Sequence, residues 1–214
     1  MFYIFVVQNI LNTMIKVGLS GNRYSGKDEI CSYFRKLTIP VFEADIVLKF
    51  IINHDMAVTD QIRRELPHVY NRSLYIEPKL VTKSDFDKIV DFAQYELMTA
   101  YEKFSEKNRG SIYTIFHSSI LFERGWQKLM DKSIAVFCPK ITRMERCRDL
   151  TKNKVSDIAF LMRNEIDDLD KNKMANFVLH NYEGRKPLDQ VHQIDQMVID
   201  SYLRSEQTIV SKHY

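Results

Sequence analysis

Charge of one sign, paired cysteines and long apolar runs are all missing from this 214-residue chain. Its 31 basic residues stand against 28 acidic ones, a formal net charge of +3. A balance this even gives no nucleic-acid footprint, so no nucleic-acid partner is expected, and it is compatible with an anionic small-molecule ligand. The three cysteines, Cys31, Cys138 and Cys147, have no metal-ligand spacing. An odd count without a secretory signal points to free thiols packed in the core of a cytoplasmic protein. The apolar opening, residues 1–13, is too short to span a bilayer and lacks both a basic start and a small-residue cleavage site, so no membrane partner is expected. Met14 begins Met-Ile-Lys-Val-Gly-Leu-Ser-Gly, which makes residues 1–13 an expected N-terminal extension ahead of one domain, 14–214. Internal repeats, low-complexity tracts and linkers are absent too. A hydrophobic content of 45% is enough for one α/β domain with a small insertion or lid.

What the chain does carry is Gly21-Asn22-Arg23-Tyr24-Ser25-Gly26-Lys27-Asp28, the G-x-x-x-x-G-K spacing of a phosphate-binding loop. Residues 15–20 before it read as a buried strand, and residues 29–37 after it have apolar positions at helical spacing. The loop thus joins a strand to a helix, the context in which the motif works. Its glycines permit a compact turn whose amides converge on a phosphate, the helix adds its positive dipole end, and Lys27 reaches the terminal phosphates. Gly21 through Asp28 and the following Glu29 are accordingly the candidate nucleotide-binding residues, with ATP and Mg²⁺ as the expected cofactors. Asp28 stands where a Ser or Thr hydroxyl ordinarily meets Mg²⁺. A carboxylate there either holds the ion, directly or through water, or marks a degenerate site.

Residues 39–42 read as a second strand ending at Glu43 and Asp45. Asp45 is either a catalytic carboxylate at the ligand-binding edge of the sheet or the N-cap of the apolar helix that follows. Residues 60–107 read as helices, one stopping at Pro67 and another restarting near a capping Ser84, with Phe92, Tyr95, Tyr101 and Phe104 as an aromatic core stripe. Residues 111–116 and 133–137 have the continuous apolar character of central parallel strands. His117 follows the first of them and either touches an acceptor phosphate or caps the strand end. Glu123 either orients Mg²⁺-bound water or pairs with Arg124. Arg143, Arg146 and Arg148 fall on one helix, either as a solvated charged face or as guanidinium groups set over a transferring phosphate. The charged stretch around 150–174 reads as a lid, with Lys171 and Lys173 available to close over phosphates.

The pairing of Gly18-Leu19-Ser20-Gly21 and Ser25-Gly26-Lys27 with Ile39-Pro40-Val41-Phe42-Glu43-Ala44-Asp45 resembles the dephospho-coenzyme A kinases. These read Gly-Leu-Thr-Gly-Gly-x-Gly-Ser-Gly-Lys-Ser, followed by Pro-Val-x-Asp-Ala-Asp. Ser119-Ile120-Leu121-Phe122-Glu123 is similar to the family's Pro-Leu-Leu-Phe-Glu, Arg148-Asp149 to its Arg-Asp pair, and residues 175–181 to its Ala-Asp-x-Val-Ile-x-Asn strand. Four motifs in order cover most of residues 15–200. The resemblance implies that Lys27 binds phosphates, Asp45 is the base, Arg148 contacts ATP phosphates, and the loop after Asn181 lies against adenine. The departures are Asp28, Glu43, Ser119 and Asn176, together with Tyr95-Glu96 where the family has a His-Pro pair. Ser25-Gly26-Lys27-Asp28 itself resembles the loops of phage deoxynucleoside monophosphate kinases and animal phosphomevalonate kinases.

The expectation is a three-layer α/β P-loop NTPase fold with a parallel sheet of about five strands, a helical acceptor-binding insertion around 55–108 and a lid. The implied activity is phosphoryl transfer from ATP to dephospho-coenzyme A. A deoxynucleoside monophosphate acceptor and a catalytically inactive nucleotide-binding protein are the alternatives.

Overall fold

The computed structural model describes residues 14–71, 73–151 and 165–211. The expected N-terminal extension and the middle of the expected lid, residues 152–164, lie outside the described residues. In chain order the elements are β1 (Ile15–Gly21), α1 (Lys27–Lys36), β2 (Val41–Glu43), α2 (Ala44–His54), α3 (Met56–Glu65), α4 (Lys83–Lys107), β3 (Tyr113–His117), β4 (Lys132–Phe137), α5 (Lys140–Thr151), α6 (Asp168–Met174), β5 (Phe177–His180) and α7 (Pro187–Ser211). They divide into a larger unit, up to Phe42 and from Asn108 onward, and a smaller one, Glu43–Lys107.

The larger unit is built on a five-stranded sheet of order β2-β3-β1-β4-β5. β1 pairs in parallel with β3 and β4, and β4 with β5. Strand parity explains the layering, because successive side chains point to opposite faces. Val17 and Leu19, Tyr113 and Ile115, and Ile134 and Val136 all fall on one face. There they pack with Ile30, Cys31 and Phe34 of α1 and Val191, Ile194 and Val198 of α7. The Tyr113 hydroxyl donates to Asp195 on α7 at 2.7 Å, fastening helix to sheet. On the other parity, Phe116 stacks on Phe42 at 5.7 Å and meets the edge of Trp126 at 5.9 Å. Gly18 lies under Leu121 on this side, where a Cβ would come within 2.8 Å of Leu121 Cδ2. The three cysteines are free and buried, and burial pushes the Cys31 thiol up to about 12. Among the described residues no helix is long and apolar enough to cross a membrane.

The smaller unit is three helices: α2 and α3 meet at Asp55, and two short 3-10 turns, Pro67–Val69 and Pro78–Leu80, lie between α3 and α4. Pro67 ends α3 as its ring and missing N–H require. α2 begins at Ala44 with Glu43 in the cap position, so Asp45 sits inside the first turn and is not the cap. α4 starts earlier than a cap at Ser84 would place it. Thr82 Oγ1 accepts the Asp85 N–H at 3.1 Å while Asp85 Oδ2 accepts the Thr82 N–H at 3.0 Å, a reciprocal capping box that outcompetes Ser84. The buried stripe of α4 is Ile89, Ala93, Leu97 and Tyr101, whereas Tyr95, expected in the core, is 75% exposed. Four-residue spacing won over aromatic content.

Hydrogen bonds from Thr82, then from His68, hold the Asp85 carboxyl down at about 2. A carboxyl depressed in the folded state stabilises above its unfolded value, roughly 4, and loses that contribution as pH falls through 2. Urea midpoints of wild type and Asp85→Asn are therefore expected to differ at pH 7 and to converge near pH 2. A constant gap would remove the carboxylate from the explanation.

Candidate active site

The loop after β1 closes tightly before α1 opens. Ser25 N–H donates to the Asn22 carbonyl at 3.0 Å, and Gly26 takes the left-handed conformation with φ +85°. Only glycine fits Gly26, because an added Cβ would also run into the Asn181 side-chain amide. Gly21 is equally constrained, since its Cβ would come within 2.7 Å of the Val136 carbonyl on the next strand. α1 then begins at Lys27 with no side-chain cap on its N-terminus. Helix amides without a capping partner beside a glycine-bordered cradle form an anion site, and Lys27 adds a full charge to it.

The carbonyls of the loop are held from outside by α5. Arg146 Nη1 donates to the carbonyls of Tyr24 and Ser25, each at 3.2 Å, and Nη2 donates to that of Asn181 at 3.0 Å. Arg143 Nη1 donates to the Arg23 carbonyl at 3.2 Å, and its Nε to the Cys138 carbonyl at 3.1 Å. The Tyr24 hydroxyl hydrogen-bonds Cys147, which with burial raises the Tyr24 pKa. Tyr24 itself has φ +62°, a conformation rarely adopted by a bulky residue and held here by these contacts. Residues 143, 146 and 147 lie on one helical face, so a single stripe of α5 braces three consecutive loop residues.

The segment that leads into α6 completes the frame. Glu165 accepts the Arg23 N–H at 2.7 Å and pairs with Arg143 at 2.8 Å. Asp168 accepts from Asn22 Nδ2 and from Arg143 Nη2, both at 2.8 Å. Asn181, at the end of β5, donates from Nδ2 to the Ser25 carbonyl at 3.0 Å and faces Glu29 at 3.4 Å. Glu29 also accepts from the Tyr33 hydroxyl at 2.6 Å.

Gly21 to Glu29, Asn181 and Arg146 are thus gathered around one loop. Arg148 is not among them: its side chain is 59% exposed and pairs with Asp149 at 3.3 Å. Asp28, 82% exposed on the first turn of α1, lies 3.5 Å from His117 Nε2 at the end of β3. Glu123 Oε1 is engaged by the buried Lys171 Nζ at 2.6 Å, so Lys171 faces a carboxylate here. Asp45 belongs to the smaller unit, on the first turn of α2. Glu165 and Asp168 were missed in sequence, where they read only as acidic residues of a charged stretch. The Arg143, Arg146 and Cys147 spacing was the available signal, but it marks the helix face without naming its partner. Among the described residues no group of three or more His, Cys, Asp or Glu is placed to hold a metal ion. A phosphate-bound Mg²⁺ needs only one or two carboxylates, and Asp28 supplies an exposed one at the helix end.

In overall structure the chain matches TT1252 from Thermus thermophilus with a TM-score of 0.71, at 18% identity over 87% of this chain and 97% of that one. It also matches the dephospho-CoA kinase from Campylobacter jejuni, with a TM-score of 0.51 and 16% identity over 86% and 96%. The chain has the P-loop kinase fold. In sequence it is 24% identical to the dephospho-CoA kinase of Rickettsia felis across 87% of this chain and 97% of that protein. It is 23% identical to the Bacteroides fragilis dephospho-CoA kinase across 81% and 87%. No family model matches it.

If the loop relies on Arg146 to hold its shape, Arg146→Ala should cost stability as well as ligand binding. A hydrogen bond from a charged donor contributes about 1.5–3 kcal/mol, so the variant is expected to lose at least about that much in urea denaturation. ATP-analogue affinity by calorimetry should fall roughly tenfold or more, a drop equivalent to 1.4 kcal/mol. Arg146→Lys, with the charge but without the planar fork, should recover little of either. Full recovery by lysine would show that charge alone suffices.

Proposed function

We propose that the chain is an ATP-dependent phosphotransferase that moves the γ-phosphate of ATP to the 3′-hydroxyl of dephospho-coenzyme A, releasing ADP and coenzyme A. The observation that carries this reading is the uncapped start of α1 behind the Gly26 turn, in a chain similar over 87% of its length to a dephospho-CoA kinase. Phosphoryl transfer asks a protein mainly to position the reactants and to neutralise spread negative charge. Loop amides and Lys27 hold the β- and γ-phosphates and draw charge off the migrating group. Asp28 is the residue that would hold Mg²⁺, which would supply neutralising charge at the phosphates.

Asp45 takes the proton of the attacking hydroxyl in this reading, a role that comes from the resemblance of residues 39–45. Arg148 reaches the ATP phosphates after leaving Asp149, and an exposed pair of that kind holds little energy. Asn181 shapes the loop through Ser25 while the residues after it lie against adenine. The reaction belongs to the cytoplasm and involves no nucleic acid.

The test is ADP release measured with dephospho-coenzyme A, with each deoxynucleoside monophosphate and with no acceptor. Turnover with dephospho-coenzyme A is expected. Turnover with a deoxynucleoside monophosphate alone would reassign the acceptor, and nucleotide binding without any turnover would make the chain a nucleotide-binding protein. Lys27→Ala should melt with wild type and lose turnover. Asp45→Asn should bind ATP normally and lose at least about a hundredfold in rate, the size expected for removing a general base. Near-normal turnover in Asp45→Asn would shift the base to Glu43.

A further inference from the structure

P-loop proteins ordinarily divide the work of holding their cation between the hydroxyl after the loop lysine and an aspartate on a neighbouring strand. Both positions differ here, and they differ in a complementary sense. Asp28 puts a carboxylate in the hydroxyl's place. β3, the strand hydrogen-bonded beside β1, ends in His117, which stands in register with Leu19 just before the loop. The two side chains face each other, Nε2 to Oδ1, at 3.5 Å.

Their environments divide the labour. His117 is 4% exposed and fixed by its strand, whereas the Asp28 side chain is 82% exposed on the side where α1 presents its free N-terminus. An exposed carboxylate one residue past the phosphate-binding lysine repels a polyphosphate unless a cation lies between them. A buried ring behind such a carboxylate has the placement of an outer partner that aims a metal ligand. The pair therefore has one end fixed in the protein and one end open to the ligand.

We propose that the cation-holding carboxylate of this kinase has moved from the end of β3 to the first turn of α1: Asp28 is the protein ligand, and His117 is the positioning residue that orients it. The inference rests on reading the chain as an ATP-dependent phosphotransferase and adds which residues hold the cation and how. It also reverses a simpler expectation for Asp28. Serine is the common residue at that position, yet in this chain Asp28→Ser leaves an imidazole where the strand-end carboxylate would otherwise stand.

The experiment measures Mn²⁺ binding by electron paramagnetic resonance at saturating ADP, without acceptor and without turnover. ADP binding in EDTA, measured alongside, reports whether each variant is folded and keeps its loop. Asp28→Ser is expected to weaken Mn²⁺ at least about tenfold while binding ADP in EDTA as well as wild type or better. Removing an outer partner of a metal ligand typically costs about 10–100-fold in metal affinity, so His117→Ala should weaken Mn²⁺ by about tenfold. His117→Gln, with an amide donor at similar reach, should recover most of that loss. The double variant Asp28→Ser/His117→Asp rebuilds the hydroxyl and strand-end carboxylate, and should return to within about threefold of wild type.

Wild-type Mn²⁺ affinity in Asp28→Ser would overturn the proposal, and that position is exposed enough for the variant to fold. Unchanged affinity in His117→Ala, or a double variant as weak as Asp28→Ser, would overturn the positioning role and the exchange. A wild-type protein that binds no ADP would instead sink the phosphotransferase reading and this inference with it.

Discussion

The Arg146 guanidinium, bonded at once to the carbonyls of Tyr24, Ser25 and Asn181, is the constraint on which the rest of the site depends. In a planar peptide the C=O and N–H point in opposite directions, so fixing the Ser25 carbonyl outward turns the attached Gly26 amide inward, while the Ser25 amide closes the turn onto the Asn22 carbonyl. A phosphate cradle needs amides that converge, and convergence costs backbone strain. The positive φ values of Tyr24 and Gly26 show where that strain sits. Glycine accepts it at position 26 without loss. At Tyr24 the Cys147 contact and the two arginines hold the chain in place.

The brace itself depends on charge being matched in a buried place. Arg143 is almost fully buried, and a guanidinium there is costly unless its donors are satisfied. Glu165, Asp168, the Cys138 carbonyl and the Arg23 carbonyl satisfy them. Because two carboxylates meet its one charge, Arg143 works as a structural tie and brings little positive field to a phosphate. Lys27 and the α1 N-terminus are left as the attractive elements, which fits a loop whose own sequence carries the motif.

The strand–loop–helix unit was legible because two periods and a spacing coincide in 15–37: a continuous apolar strand, the glycine and lysine positions, and helical recurrence after them. The central strands were legible for the same reason, being buried on both faces. What stayed hidden depends on partners far apart in sequence. Glu165 meets Arg23 across 142 residues, and nothing in a charged stretch says which carboxylate will face a guanidinium. The cap of α4 was misread for a different reason. Ser84 and Thr82 are both capping types, and the choice turns on Asp85 three residues after Thr82, a reciprocal pair and not a single residue. The aromatic stripe misled because ring content was weighed above spacing, and α4 buries a four-residue repeat that leaves Tyr95 outside.

Residues from three parts of the chain therefore converge on four consecutive loop residues: α5 holds the carbonyls of Arg23, Tyr24 and Ser25, Glu165 and Asp168 hold Arg23 and Asn22, and the end of β5 holds Ser25. The motif alone defines a sequence that can bind phosphate, whereas the conformation that does so is fixed by the larger unit's packing. This separates two kinds of tolerance. Asp28 projects from the first turn of α1 into solvent and makes no backbone brace, so the packing of the loop leaves its identity free. Gly21 and Gly26 lie against the Val136 carbonyl and the Asn181 amide, where one added carbon collides with the brace. The chain accordingly keeps the usual residues where backbone packs against backbone and departs from them where the side chain is exposed.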